Sequence, residues 1–268
     1  MKRLLWTFSS VFILTLITGC TATTTGGAVG VDRKQIMLVS SEQAFSNGDA
    51  FYAQEVKKAN QAGAINPSKK QTDRLRAIAR KLIPRTKIFR DDAPSWPWEV
   101  NIMESKEINA YCAGRGKIMF YTGILEKVTI SDDEIAAVMG HEIAHALREH
   151  SRERMSQAYM QNIGVSLAGA LSKNDNVTLG AAILGQYAFA LPYSREHERE
   201  ADRMGLELMA RAGYNPNAAI SVWEKMSKIG GSKTPEFLST HQSNESRIDD
   251  MRHYLPIATK LYQEAKGK

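Results

Sequence analysis

His141-Glu142-Ile143-Ala144-His145 decides the reading of this chain. The pattern is H-E-x-x-H. On a helix, residues four apart stand one above the other on the same face. Two imidazoles so placed can share one metal ion, and Glu142 sits one position round, beside the water such an ion carries. Zinc is the metal this pattern serves, with the acid as general base of peptide hydrolysis. The flanks predict the helix that this chemistry requires. Ser131-Asp132-Asp133-Glu134 reads as a capping box, in which the Ser oxygen meets an orphan amide and the Glu reaches back. Two acids in the first turn suit the helix dipole. Ile135, Met139, Ile143 and Ala146 recur at helical spacing and predict a buried back face. Glu134, His141, His145 and Arg148 share the other side.

A catalytic zinc takes three protein ligands and keeps one position for water. One zincin class continues from the second His to a Gly and a third His. Here Arg148 holds the Gly position and His150 falls one residue early, which argues against that class. In another class the third ligand is an acid on a later helix, and Ser194-Arg195-Glu196-His197-Glu198-Arg199-Glu200-Ala201-Asp202 offers four. Read as a helix ending at Gly213, this run carries an apolar stripe of Ala201, Gly205, Leu208, Met209 and Ala212. Glu198 lies at its centre and Asp202 one turn on. A carboxylate facing a core needs a partner, and a metal with its histidines supplies one. Glu198 is therefore the chosen third ligand. Asp202 is placed to accept from the far nitrogen of a ligating His. Glu196, Glu200 and Glu207 read as surface charge, and His197 as a bystander.

These motifs together resemble the CAAX-prenyl-protease/HtpX-like family of zinc metallopeptidases. The resemblance rests on His141-Glu142-x-x-His145 followed, roughly 50 residues on, by Ser194-Arg195-x-x-Glu198-x-x-Ala201-Asp202. Upstream, Asn109-Ala110-Tyr111-Cys112, Gly116-Lys117-Ile118 and Tyr121-Thr122-Gly123-Ile124-Leu125 are similar to the family's segments. Downstream, His241 and Glu245-x-Arg247-Ile248 are too. It covers about residues 70–255. Gly114-Arg115 stands where the family has Pro-Gly, and Gln242 where a Pro follows the His. The resemblance implies a gluzincin-type enzyme of the OMA-like lipoprotein branch, with one zinc per chain and polypeptide substrates. It also makes His241 and Arg247 candidates for donors to the anionic intermediate. The alternatives are a structural ion pair for Arg247, and for His241 a surface position, a supporting role behind the ligands, or the open zinc position in a resting state.

The N-terminus fixes a compartment. Lys2-Arg3 precede an apolar run, Leu4 to Ile17, too short to span a bilayer, so residues 1–19 read as a secretory signal. It ends Leu16-Ile17-Thr18-Gly19-Cys20, which resembles a bacterial lipobox, so Cys20 is expected to carry lipid. Thr21, by resemblance to bacterial lipoproteins, points to the outer membrane facing the periplasm. Several acyl chains anchor stably where one is marginal. Thr21 to Val31 is rich in Thr and Gly, so residues 20–40 are expected to be a flexible tether. Residues 41–268 are read as one metallopeptidase domain. The only other cysteine, Cys112, is left without a partner and reads as a small buried hydrophobe.

The expected fold is α+β and mostly helical, a zincin-like active-site helix beside a small sheet. Helices are predicted near 41–62, 68–83, 216–229 and 245–254, and short strands at 98–103, 109–112 and 117–121. Residues 160–192 read as an apolar helical hairpin, each arm shorter than a membrane span. The net charge is +6. It forms no basic stripe with interleaved aromatics, which argues against nucleic acid as a partner. The expected substrates are unfolded or misassembled envelope proteins, bound extended along the strand edge at 109–121. A chaperone or assembly factor with secondary proteolysis is the alternative, and a purely structural zinc a third.

Overall fold

The computed structural model describes residues 20–129, 131–172, 193–229, 236–241 and 245–267. The expected signal at 1–19 and the expected hairpin beyond residue 172 lie outside them. Among the described residues, no helix is long and apolar enough to cross a membrane.

Three strands build the small sheet: β3 (Glu99–Met103), β4 (Ala110–Ala113) and β5 (Lys117–Tyr121). Their order is β3-β5-β4, with β5 parallel to β3 and antiparallel to β4. β4 is thus an antiparallel edge. Tyr121 N donates to Asn109 O at 3.1 Å. By the alternation of an antiparallel ladder, Tyr111 and Ala113 face β5, and Ala110 and Cys112 turn their peptide groups to the free edge. Helix α1 (Ser41–Gln61), capped by Ser40, covers one face of the sheet, where Tyr52 packs with Ala113 and Met119. Ile118, Phe120 and Ala110 on the other face join the main core. Helix α2 (Lys69–Leu82) adds Leu75, Ile78, Ala79 and Leu82 to it, and α3 (Thr122–Lys127) follows the sheet.

The helix bearing the histidine pair is α4 (Asp132–Leu147). Its capping box forms: Ser131 Oγ accepts from Glu134 N and Glu134 Oε2 from Ser131 N, each at 3.1 Å. Such a cap is worth about 1 kcal/mol. The expected single back face is exceeded, since every residue from Glu134 to Leu147 is buried. The sheet, α2, α6 (Arg195–Arg211) and α7 (Asn217–Lys228) all pack around it. α4 and α6 touch backbone to backbone. A Cβ on Gly205 would stand 2.8 Å from His141 N and 3.0 Å from Gly140 C, so only glycine permits this approach.

Helices α5 (His150–Ser172), α8 (Glu236–Thr240) and α9 (Glu245–Lys266) complete the order. α9 was expected to end near 254, yet it runs on through Pro256. The hydrogen bond a proline forfeits is offset by burying Ala258 and Leu261 in the core. Glu149, between α4 and α5, has φ 51°, the left-handed conformation that breaks the two helices apart.

The tether expectation is corrected. Residues 21–39 lie against the domain. β1 (Cys20–Thr21) pairs antiparallel with β2 (Gln35–Ile36), and Val29 and Val31 enter the core. Ala28 N and Val29 N donate to Glu207 Oε2 at 2.8 and 3.1 Å. Gly27, at φ 59°, lets the chain pass Phe89, where a Cβ would come within 2.4 Å. Gln35 Nε2 reaches Arg148 O and Glu153 Oε2. Composition suggested a coil, but the two valines and the donors around them bind the segment down.

Candidate metal centre

Helix α4 presents His141 and His145 one turn apart, and α6 lays Glu198 across them. Their reactive atoms converge. His141 Nε2 lies 3.1 Å from His145 Nε2 and 3.5 Å from Glu198 Oε2, and His145 Nε2 lies 3.4 Å from Glu198 Oε1. His241, just past α8, brings its Nδ1 to 3.3 Å from His141 Nε2 and 2.9 Å from Glu198 Oε1. All four residues are buried, and their donor atoms lie within 4.8 Å of one another. Donors held at 2.0–2.1 Å around a tetrahedral zinc stand about 3.3 Å apart. The observed separations scatter around that value, so the cluster fits a divalent metal.

Glu142 sits beside the cluster. Its Oε1 is buried and accepts no hydrogen bond, and His241 Nε2 stands 3.8 Å away. A buried carboxylate oxygen left free is costly unless something the site receives, such as a water, meets it. Burial pushes the Glu142 carboxyl upward, against the pull of the nearby imidazoles.

The carboxylate behind the first histidine is where helical phase placed it. His141 Nδ1 lies 3.0 Å from Asp202 Oδ1. Burial disfavours the charged ring, but Asp202 and Glu198 outweigh it and push the His141 pKa up to about 9. His145 goes the other way: burial drives it well below its ordinary value, and Glu198 only partly opposes this. Burial works against the Glu198 carboxylate too, yet His241 and Arg247 hold it well below the usual carboxylate range.

Arg247 takes a different place from the expected donor to an anionic intermediate. Its Nη1 meets Glu198 Oε2, and its Nε and Nη2 meet the two oxygens of Asp202, all at 2.7 Å. The guanidinium also lies 4.3 Å from the ring centre of Trp223. It is a buried ion pair that fixes both carboxylates, which was the alternative reading.

Three residues set aside in the sequence are engaged in buried contacts. Glu200 and Glu207, expected on the surface, are buried. Glu200 meets Arg148, Arg33 and His150, and Glu207 meets Arg211 and the 28–29 amides. His197 closes the capping box of α6 with Ser194, and its Nε2 lies 3.1 Å from Glu153 Oε2. Glu196 stays half-exposed as expected, 3.9 Å from Arg199. Nothing in the α6 periodicity marks Glu200 as buried, since the elements that cover it come from residues 24–35 and 148–153. Cys112 is half-buried in β4, and burial pushes its thiol well above its ordinary value. That suits an inert thiol.

A helix carrying H-E-x-x-H, with a glutamate from a second helix completing the donor set and a sheet edge alongside, defines a gluzincin-type metallopeptidase architecture. The chain belongs to peptidase family M48, which matches residues 69–255. It is 38% identical over 172 residues to the mitochondrial metalloendopeptidase OMA1 of Arabidopsis thaliana, covering 63% of this chain and 34% of that protein. It is 34% identical over 180 residues to OMA1 of Saccharomyces cerevisiae, covering 63% and 50%. The beta-barrel assembly-enhancing protease of Escherichia coli O157:H7 is 26% identical over 168 residues, covering 59% and 34%. The chain thus spans from a third to half the length of these curated relatives.

Proposed function

We propose that this chain is a zinc-dependent endopeptidase. The observation that carries the reading is the free, buried Glu142 oxygen beside four converging donors. His141, His145 and Glu198 would hold the ion. Bound zinc supplies Lewis-acid polarisation of the scissile carbonyl and lowers the pKa of the attacking water towards ~7. Glu142, its carboxyl made more basic by burial, takes that water's proton and delivers it to the leaving amine. Asp202 and Arg247 keep His141 and Glu198 in place. His241 Nδ1, 3.3 Å from His141 Nε2 and 2.9 Å from Glu198 Oε1, would compete with the attacking water for a bound ion.

The substrate enters extended along β4. The Cys112 peptide group faces the open edge, and Cys112 and Ala110 pack towards the core that contains α4. Recognition through backbone hydrogen bonds gives loose sequence preference. The lipobox-like Cys20 and the similarity to a beta-barrel assembly-enhancing protease support a lipid-anchored enzyme at the bacterial outer membrane. Its substrates there are misfolded or unassembled envelope proteins.

Glu142→Gln tests the base. Cleavage of casein or an unfolded outer-membrane protein should fall by 10²-fold or more, with one zinc per chain retained by elemental analysis. Cleavage at the wild-type rate refutes the assignment. His241→Ala separates the catalytic reading from a structural site. The catalytic reading expects the metal to stay bound, whereas a structural centre that needs four protein ligands would lose it.

A further inference from the structure

His150 lies outside the donor cluster, yet the structure brings it against the second ligand. The left-handed Glu149 ends α4 and swings the chain back, so that His150 Nδ1 lies 2.8 Å from His145 Nδ1. On its other side, His150 Nε2 lies 2.9 Å from Glu200 Oε2. Glu200 is held in turn by Arg148 Nε and Nη2 at 3.2 and 3.1 Å and by Arg33 Nε at 2.7 Å. The His150 ring is fully buried and stacks on His197, with centroids 4.4 Å apart and planes at 23°.

With an ion held on His145 Nε2, one arrangement of protons would fit these distances. His145 Nε2 belongs to the donor cluster, so its lone pair points there and the ring proton sits on Nδ1. That proton faces His150 Nδ1, which must accept. The proton of His150 is then on Nε2 and donates to Glu200. The two arginines hold Glu200 as an acceptor.

We propose that His150 and Glu200 are positioning residues for the metal ligand His145. They do through an interposed imidazole what Asp202 does directly for His141. Both ligating histidines are thus oriented from α6, one by Asp202 and one by Glu200, and each carboxylate is clamped by arginine. The inference rests on the metal-centre reading above. Outer partners of this kind are worth about 10–100-fold in metal affinity.

Asparagine and glutamine divide the role of His150. Asparagine places an oxygen near the Nδ1 position and keeps the acceptor for His145. Glutamine places its amide near Nε2 and keeps the donor to Glu200. In the full-length chain, zinc affinity is measured by competition with a chromogenic chelator, with the melting temperature of the metal-free protein as the control for folding. His150→Gln, which loses the acceptor for His145, should bind zinc about 10–100-fold more weakly, and His150→Asn, which keeps that acceptor but loses the reach to Glu200, should lose clearly less. Equal losses for Asn and Gln, a larger loss for Asn, or no loss for Gln overturns the proposal. A wild-type measurement covers the case of poorly folding variants. Nitrogen-15 histidine spectra of the zinc-loaded chain should show His150 protonated at Nε2 and bare at Nδ1, and the reverse tautomer refutes the assignment. A wild-type chain that binds no zinc instead overturns the metal centre itself.

Discussion

Replacing Arg247 with methionine separates an ion-pair role from a catalytic one. In the structure its guanidinium makes three 2.7 Å contacts to Glu198 and Asp202, and the side chain is 3% exposed. Methionine restores most of the packing volume against Trp223 but leaves two buried carboxylates without their cation. Breaking a buried pair by removing one partner costs about 3–5 kcal/mol. In a domain of this size, 1 kcal/mol moves the melting temperature by about 2–4 °C. The metal-free variant should therefore melt roughly 10 °C below the metal-free wild type. A bound divalent cation replaces part of the missing charge, so the gap should narrow with metal. Calorimetry of both proteins, with chelator and with zinc, reads the four melting temperatures. Arg247→Lys keeps the charge but not the paired contacts and should fall between. If Arg247→Met melts within 2 °C of wild type in chelator while turnover drops a hundredfold at unchanged KM, Arg247 acts on the reacting atoms and the ion-pair account is wrong.

Other expectations follow from named contacts. His141 holds its proton up to about 9 in the metal-free protein, so an incoming metal must displace it. Zinc affinity should therefore rise by up to tenfold per pH unit between about 6.5 and 9, as titration calorimetry at several pH values would show; a flat profile refutes it. The sign for stability is opposite: a His pKa raised on folding stabilises below 6.5, and that contribution is lost as pH climbs through 9. Glu207→Ala removes the acceptor for two amides of the 28–29 turn. It should cost about 1–3 kcal/mol and speed proteolytic nicking between residues 21 and 39, with zinc affinity unchanged. Gly205→Ala should cost at least about 1–3 kcal/mol by overpacking and weaken zinc binding as well; a neutral result by thermal melt would mean the helices separate freely.

The site was legible in the sequence where its geometry is helical. His141 and His145 are one turn apart on α4, and Glu198 and Asp202 one turn apart on α6, so spacing alone aligned them. His150 was not legible. In an unbroken helix a residue five past His145 points well away from it, and only the left-handed Glu149 returns it. Glu200 and Glu207 were misread for a related reason. Their own helix leaves them outward, and they are covered by chain from 24–35, whose Thr and Gly content suggests no structure. Arg247 could be recognised as belonging to the site, but charge type alone does not say whether a guanidinium faces substrate or carboxylate. α9 passes Pro256 because burial beyond it outweighs one lost hydrogen bond.

The backbone contact of Gly140 with Gly205 gives the donor cage its calibration. His141 follows Gly140 directly, and Glu198 stands two turns before Gly205, about 10 Å along α6. The distance from imidazole to carboxylate is therefore gauged by two peptide planes in contact, and not by side chains that can swing. A stop of that kind has no travel in the closing direction. The spacing of the donors in this chain is thus set partly by two residues that carry no donor at all.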